Sequence, residues 1–262
     1  FKAVKAGAEG RGIDRVFLTG VSPVVLSDIT SGYNVAKDLT HLDEYHDLCG
    51  FTARELADAL SGVLTERGIP AEQAPGILDL LQRFYNGYRF GEGDNPLIYN
   101  PTLALYFLDY FGRYGRYPRQ MLDDNLAMDR NRIQYVARLP HGETLVNQAL
   151  NDAKPLAVAQ LVNRFGVRDM LTAPRNPDFL ATLLYYFGVL TLAGRNEWGE
   201  LSLTIPNQVI RKLYVERLQE QLLPDYDDQA QRQELCRRFY ATGDLGPLCD
   251  LLERTYFKVF DN

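Results

Sequence analysis

Lysine is the residue through which phosphate chemistry would show first, and the chain carries six: Lys2, Lys5, Lys37, Lys154, Lys212 and Lys258. A phosphate-cradling loop needs a glycine-rich turn, a lysine directly after its last glycine and a hydroxyl residue next. None of the six follows a glycine, so the sequence holds no such loop. Metal-dependent nucleases need two carboxylates on a divalent ion, with a lysine two residues beyond the second to stabilise the attacked phosphate. Pro177-Asp178 and Pro224-Asp225 are followed by no acid-x-Lys strand, and the single acid-x-Lys triplet, Asp152-Ala153-Lys154, precedes both and runs into Pro155. His41, His46 and Cys49 lie close together. Their five-residue histidine step puts the imidazoles on different helix faces, and no second His/Cys pair completes a four-ligand metal site. Gly20-Val21-Ser22-Pro23 lacks the second glycine of a nucleophile elbow, which leaves the serine to a turn. The chain is thus expected to have no catalytic and no metal-binding residue of its own.

Two groups of cations point to other chemistry. Tyr110-Phe111-Gly112-Arg113-Tyr114-Gly115-Arg116-Tyr117-Pro118-Arg119 interleaves aromatics with three arginines, the composition of a stacking platform for single-stranded nucleic acid. Asp123, Asp124 and Asp129 follow and repel phosphate, so the alternative is a tyrosine-rich loop leaving a helix. The second group is Arg195 in a hairpin turn with Arg211, Lys212 and Arg217 on the helix after it. These four are the candidate nucleic-acid residues.

Composition bounds both ideas. In 262 residues, 46% are hydrophobic and 24% charged, which excludes a disordered, collagen-like or disulfide-framed chain. A formal net charge of −6 argues against a chain-wide footprint for nucleic acid or an anionic membrane, so any such contact is local. Cys49, Cys236 and Cys249 are widely spaced, as suits a reducing compartment. No apolar run approaches the ~20 residues needed to span a bilayer, and no basic-then-apolar leader opens the sequence. A cytoplasmic protein without a membrane partner is expected.

The elements that would position these residues are mainly helical with minor β. Ile13 to Thr19 reads as a strand closed by Gly20, apolar enough at Val16, Phe17 and Leu18 to be covered on both faces. Its neighbours are not supplied downstream, so it is expected to pair with polypeptide outside this sequence or with a copy of itself in a homodimer. Thr52 and Glu55 form a capping box opening a helix to about Arg67, stopped by Gly68. A second helix runs from about Pro70 to Tyr85 and ends at Asn86-Gly87, and Asn100-Pro101 opens a third that packs on it. Further helices are expected over 130–137, 143–150, 227–240 and 245–260. Asn176-Pro177 starts a helix ended by Gly188, strands 189–193 and 200–205 flank a hairpin turn with Trp198 at its exposed tip, and Asn207 caps a helix to about Leu222. Helix, two-stranded wing and helix is the outline of a winged-helix unit.

Five phrases recur in a family order: 15–23 (Arg-Val-Phe-Leu-Thr-Gly-Val-Ser-Pro), 33–39 (Tyr-Asn-Val-Ala-Lys-Asp-Leu), Gly50-Phe51-Thr52, 84–90 (Phe-Tyr-Asn-Gly-Tyr-Arg-Phe) with Tyr99-Asn100-Pro101, and 183–188 (Leu-Leu-Tyr-Tyr-Phe-Gly) through Ile205-Pro206-Asn207. Over about residues 1–223 the chain resembles the bacterial AAA-ATPase-like proteins that usually carry a PD-(D/E)xK nuclease-like domain at the C-terminus. The resemblance implies the C-terminal edge of a P-loop α/β core over 1–40, a helical lid over 41–150, a winged-helix-like domain over 151–225 and a helical linker over 226–262. It further implies that the phosphate-binding loop and the magnesium-holding strand precede Phe1 and that an effector domain follows. ATP and magnesium would then bind only with the upstream core present. On this resemblance Thr19 stands beside the γ-phosphate as a sensor that positions water, Ser22 assists, and Arg89 senses phosphate or pairs a core carboxylate. The chain would be a non-catalytic segment that couples nucleotide state to the effector. A nucleic-acid-binding winged-helix adaptor and a plain protein-interaction scaffold are the alternatives.

Overall fold

The computed structural model describes residues 12, 13, 15, 17, 19, 39–122, 127–151, 154–162, 176–222 and 226–260. Among these, nine α-helices and one three-stranded sheet give a mainly helical protein with minor β. The chain divides into two compact units, 1–211 and 212–262, described here one at a time.

The first unit opens on three helices, α1 (Ala53–Arg67), α2 (Ala74–Tyr85) and α3 (Pro101–Tyr114). The capping box forms as expected: the Glu55 amide donates to Thr52 Oγ1 at 3.2 Å, and the Thr52 amide donates to Glu55 Oε2 at 2.9 Å. Gly68 ends α1 in the left-handed conformation. Leu56, Leu60 and Leu64 recur on one face of α1 and are buried against Ile77, Leu81 and Tyr85 of α2 and Leu103, Phe107 and Phe111 of α3. That common core makes α2 pack on α3, since each helix has one apolar stripe to hide. A short 3-10 turn at Ala71–Gln73 precedes α2, where the sequence suggests helix from about Pro70. Two isolated antiparallel bridges, Phe51 with Tyr99 and Tyr88 with Ile98, lace the segments around these helices together.

The same unit continues through α4 (Ala127–Ala137), α5 (Gly142–Ala149), β1 (Leu156–Val158), α6 (Pro177–Tyr186), β2 (Thr191–Arg195) and β3 (Leu201–Thr204). The sheet order is β1-β3-β2, antiparallel throughout, with Leu156 opposite Leu203 and Leu192 opposite Leu203. Leu156, Val158, Leu192, Leu201 and Leu203 are buried. The hairpin strands fall close to their expected places, and an irregularity between Leu192 and Arg195 carries β2 into the stretch expected to be turn. Strand β1 has no counterpart in the sequence expectations. Every residue of α6 from Phe179 to Tyr185 is buried. Asn207 caps α7 (Gln208–Leu222), its Oδ1 accepting from the Ile210 amide at 3.1 Å.

In the second unit α8 (Tyr226–Thr242) packs on α9 (Gly246–Phe260). Gly243 turns the chain with φ +71°, and Arg238 pairs with Asp244 across the turn at 3.2 Å.

The strand expected over 13–19 is not formed by its described members. Ile13, Arg15, Phe17 and Thr19 lie outside any strand and are exposed. An isolated strand leaves its backbone donors and acceptors unpaired, and among the described residues nothing pairs with these four. Residues 33–38 and Ser22 lie outside the described residues. No helix among the described residues is long and apolar enough to cross a membrane.

Candidate functional site

Of the phrases that carry the family resemblance, Gly50-Phe51-Thr52, 84–90 with Tyr99-Asn100-Pro101, and 183–188 through Asn207 converge in space, whereas 33–38 and most of 15–23 lie outside the described residues. Helix α2 ends at Asn86, whose amide donates to the Gln82 carbonyl. Gly87 then takes φ +110° and lies with its Cα against the Pro206 carbonyl, so close that a Cβ has no room. Only glycine meets both demands at once. The turn sends Tyr88 into its bridge with Ile98 and brings the Arg89 amide within 2.8 Å of Thr191 Oγ1 on β2. From the other side Asn207 Nδ2 donates to the Asn86 carbonyl at 3.0 Å while its Oδ1 caps α7. Asn100 receives the Leu103 amide at 3.2 Å on its side chain, and its own amide donates to the Tyr85 carbonyl at 3.0 Å.

Two tyrosine hydroxyls complete this junction. The side chains of Asn100 and Asn207 act on the Tyr88 hydroxyl, and that of Asn86 acts on Tyr99. Burial pushes the Tyr88 hydroxyl up to about 12, the two asparagines pulling against it and the Asp129 carboxylate adding to it. Burial also raises Tyr99, opposed by Asn86. Both hydroxyls therefore stay protonated, and the junction is uncharged, its asparagine side chains satisfying helix ends beside the two phenols.

A second contact set joins phrase 183–188 to the same neighbourhood. One ring nitrogen of His41, Nδ1, lies 3.1 Å from the Phe90 carbonyl, and the other, Nε2, lies 3.3 Å from the Tyr186 hydroxyl. Carbonyls only accept, so Nδ1 donates to Phe90 while Nε2 shares a hydrogen bond with the Tyr186 hydroxyl. Burial raises the Tyr185 hydroxyl well above its ordinary range, with Tyr186 adding to the effect. Nearby, Arg132 pairs with Asp129 at 2.6 Å, donates to the Phe187 carbonyl at 3.1 Å and sits over the Phe187 ring. Desolvation raises the Asp129 carboxyl, and Arg132 opposes the rise.

Beside the junction lies an open groove of about 290 Å³, lined among others by Gln82, Arg83, Asn86, Pro206, Gln208 and Arg211. Arg83 is held by Asp79 at 2.6 Å. Of the expected nucleic-acid residues, Arg211 is thus a groove residue. Arg195 is drawn back onto the loop after Tyr88, its Nε and Nη2 donating to Glu92 Oε2 at 2.9 and 2.7 Å. Lys212 stands 3.7 Å from Glu216, and Arg217 stands 3.6 Å from Glu220. Three of the four cations therefore carry their own carboxylate. Of the expected nucleotide residues, Thr19 is exposed and Ser22 lies outside the described residues. Arg89 is half-buried, clamped through its backbone to Thr191, and its Nε has no hydrogen-bond partner among the described residues. His41 and His46 serve different partners, the latter donating from Nδ1 to the Asp43 carbonyl at 2.9 Å, and among the described residues no three potential ligands gather for a metal.

Sequence reasoning treated Asn86, Asn100 and Asn207 as separate helix punctuation. The signal that links them is the recurrence of asparagine directly after a tyrosine or proline at helix ends, in Tyr85-Asn86, Tyr99-Asn100 and Pro206-Asn207. His41 gives no comparable signal. Compared with protein-family models, curated proteins and solved structures, the chain matches none of them.

Proposed function

We propose that this chain is a non-catalytic segment of an AAA-ATPase-like protein, a helical lid and a winged-helix-like unit that pass nucleotide state to an appended effector domain. The observation that carries this reading is the asparagine–tyrosine junction. It ties the end of α2 to the start of α7 through Asn207, and beside it the Arg89 amide on Thr191 Oγ1 ties the segment after α2 to the hairpin. A displacement of the lid helices is then felt at the hairpin, because the bonds between them are neutral and partly buried, and packed interiors transmit strain. Arg89 is the residue of this junction suited to meet a phosphate or a core carboxylate, having a buried guanidinium nitrogen with no partner among the described residues. Thr19 and Ser22 are carried as nucleotide sensors by the resemblance alone.

The order α5, β1, α6 and hairpin, with β1 adding to β3, supports the winged-helix reading of this part. The helix before the hairpin offers no cationic face: Phe179 to Tyr185 of α6 are buried and its first turn carries Asp178. With Arg195, Lys212 and Arg217 each beside a carboxylate, a coupling role is favoured over nucleic-acid binding by the wing.

The test uses the protein extended by its own coding sequence upstream of Phe1. That sequence is expected to encode a Gly-Lys-Ser/Thr loop, and ATP with magnesium is expected to slow amide exchange at both 84–101 and 191–207. Absence of the loop, or a response in which ATP alters neither segment, contradicts the proposal.

A further inference from the structure

Helix α3 has two aromatic faces. Phe107 and Phe111 stack at 5.7 Å and are buried, with Tyr117 folded back over both at 5.9 Å. On another face Tyr106, Tyr110 and Tyr114 follow each other at four-residue steps, with ring centroids 6.4 and 4.6 Å apart. The core explains the first row. Of the second row, Tyr106 and Tyr110 are half-buried, the Tyr106 hydroxyl donating to the Gln120 carbonyl at 3.1 Å, and Tyr114 is 58% exposed.

The chain has a net charge of −6 and Asp123 and Asp124 follow this stretch, yet the helix end and turn that carry the ladder are themselves basic. Residues 105–122 contain Arg113, Arg116 and Arg119 against the single acid Asp109. Arg113 is engaged by Asp109 at 2.9 Å. Arg116 and Arg119, in the turn after Gly115 ends the helix, are exposed and make no ion pair among the described residues. A row of rings with uncommitted guanidinium groups at one end is what a single strand of nucleic acid recognises, because every base offers a π-face and every linkage a phosphate.

We propose that the Tyr106-Tyr110-Tyr114 ladder with Arg116 and Arg119 binds single-stranded nucleic acid without sequence preference. Eight helical residues rise about 12 Å, the length of three to four stacked nucleotides. The strand lies along the ladder with its bases against the rings and its backbone reaching the two arginines. This proposal uses none of the wing and helix cations, and it stands or falls independently of the coupling role.

The experiment is fluorescence anisotropy of a labelled oligothymidylate titrated with the full chain at several salt concentrations. Binding is expected, with Tyr114→Ala weakening it at least about fivefold, the loss of one stacked base. Tyr114→Phe, which keeps the ring, is expected to bind as the parent does. Arg116→Gln with Arg119→Gln is expected to reduce the slope of log K against log salt by about 1.4, the value for two contacts to a single strand. No binding at protein concentrations up to about 10⁻⁴ M, the weak edge of non-specific association, overturns the proposal. So does binding that survives these changes but is lost in Arg211→Gln with Lys212→Gln. A ladder that serves a protein partner falls under the first of these outcomes.

Discussion

Asn207 reaches 121 residues back along the chain to donate its side-chain amide to the Asn86 carbonyl at 3.0 Å, while the oxygen of the same amide caps α7. One buried side chain thus serves as a helix cap and as the tie between the end of α2 and the start of α7. Replacing it removes both functions and leaves the Asn86 carbonyl without that donor. Loss of a cap costs about 1 kcal/mol, and an unsatisfied buried carbonyl about 1–3 kcal/mol. Asn207→Ala is therefore expected to lose about 2–4 kcal/mol in urea unfolding. Asn207→Asp, which can still cap but cannot donate, is expected to fall between the two.

Gly87 is expected to tolerate no side chain. Its φ of +110° disfavours an L-residue, and a Cβ would run into the Pro206 carbonyl, which is backbone and cannot rotate aside. Gly87→Ala is expected to cost more than about 2 kcal/mol, combining positive-φ strain with overpacking. A change below about 0.5 kcal/mol would mean that the Gly87 to Pro206 approach is not maintained in solution.

Tyr88 makes the fold sensitive to alkali. An unfolded tyrosine titrates near 10, whereas burial holds the folded hydroxyl at about 12. The neutral form is the one the fold accepts, so this contribution is complete below about pH 10 and is lost as pH rises toward 12, amounting to about 3 kcal/mol at most. Tyr88→Phe is expected to be less stable at neutral pH but to lose less stability over that alkaline interval. Equal losses in parent and variant, followed by circular dichroism, would contradict the assignment.

Arg132 and Asp129 give the opposite end of the pH scale. Their side chains are 22% and 12% exposed, and burial already lifts the Asp129 carboxyl despite the arginine. Arg132→Gln leaves a carboxylate facing only desolvation and is expected to cost about 3 kcal/mol at neutral pH. Asp129 in this variant titrates higher still, so the penalty is present above the folded value and shrinks as acid protonates the group. A pH-independent penalty would show that Arg132 acts only through the Phe187 carbonyl and ring.

Trp198, the single tryptophan, is 79% exposed at the hairpin tip. Its emission is expected to be that of a hydrated indole and to be readily quenched by iodide. Blue-shifted, unquenchable emission would place the tip against another surface.

Local chemistry was legible in the sequence wherever a few adjacent residues decide the outcome. The Thr52/Glu55 box, Gly68, the Asn100-Pro101 and Asn176-Pro177 starts and the Asn207 cap each act within one helical turn, and all appear where expected. Strand β1 was not legible, because three residues after Pro155 carry no measurable period and their partners lie at 201–203. Nor was the pairing of Arg195 with Glu92, 103 residues away, which withdraws a cation that composition alone would offer to phosphate. The convergence of Asn86, Tyr88, Asn100 and Asn207 depends on how separate helices pack, and each asparagine read alone is only a cap or a turn. Apolarity at Val16, Phe17 and Leu18 describes the faces of a strand over 13–19 whose partner is expected outside this sequence or in a second copy, and the described Ile13, Arg15, Phe17 and Thr19 lie outside any strand.

The central claim is that the junction makes helices α1 to α3 and the hairpin one cooperative body, and native-state hydrogen exchange tests it most directly. The reporters are the amides of Tyr88 and Ile98, bonded to each other's carbonyls at 3.2 and 3.0 Å, and those of the β2–β3 ladder. The account predicts that both sets open with the same free energy in the parent chain, and that in Asn207→Ala the two values separate. Unequal opening energies in the parent, or a common value that Asn207→Ala leaves common, would contradict it.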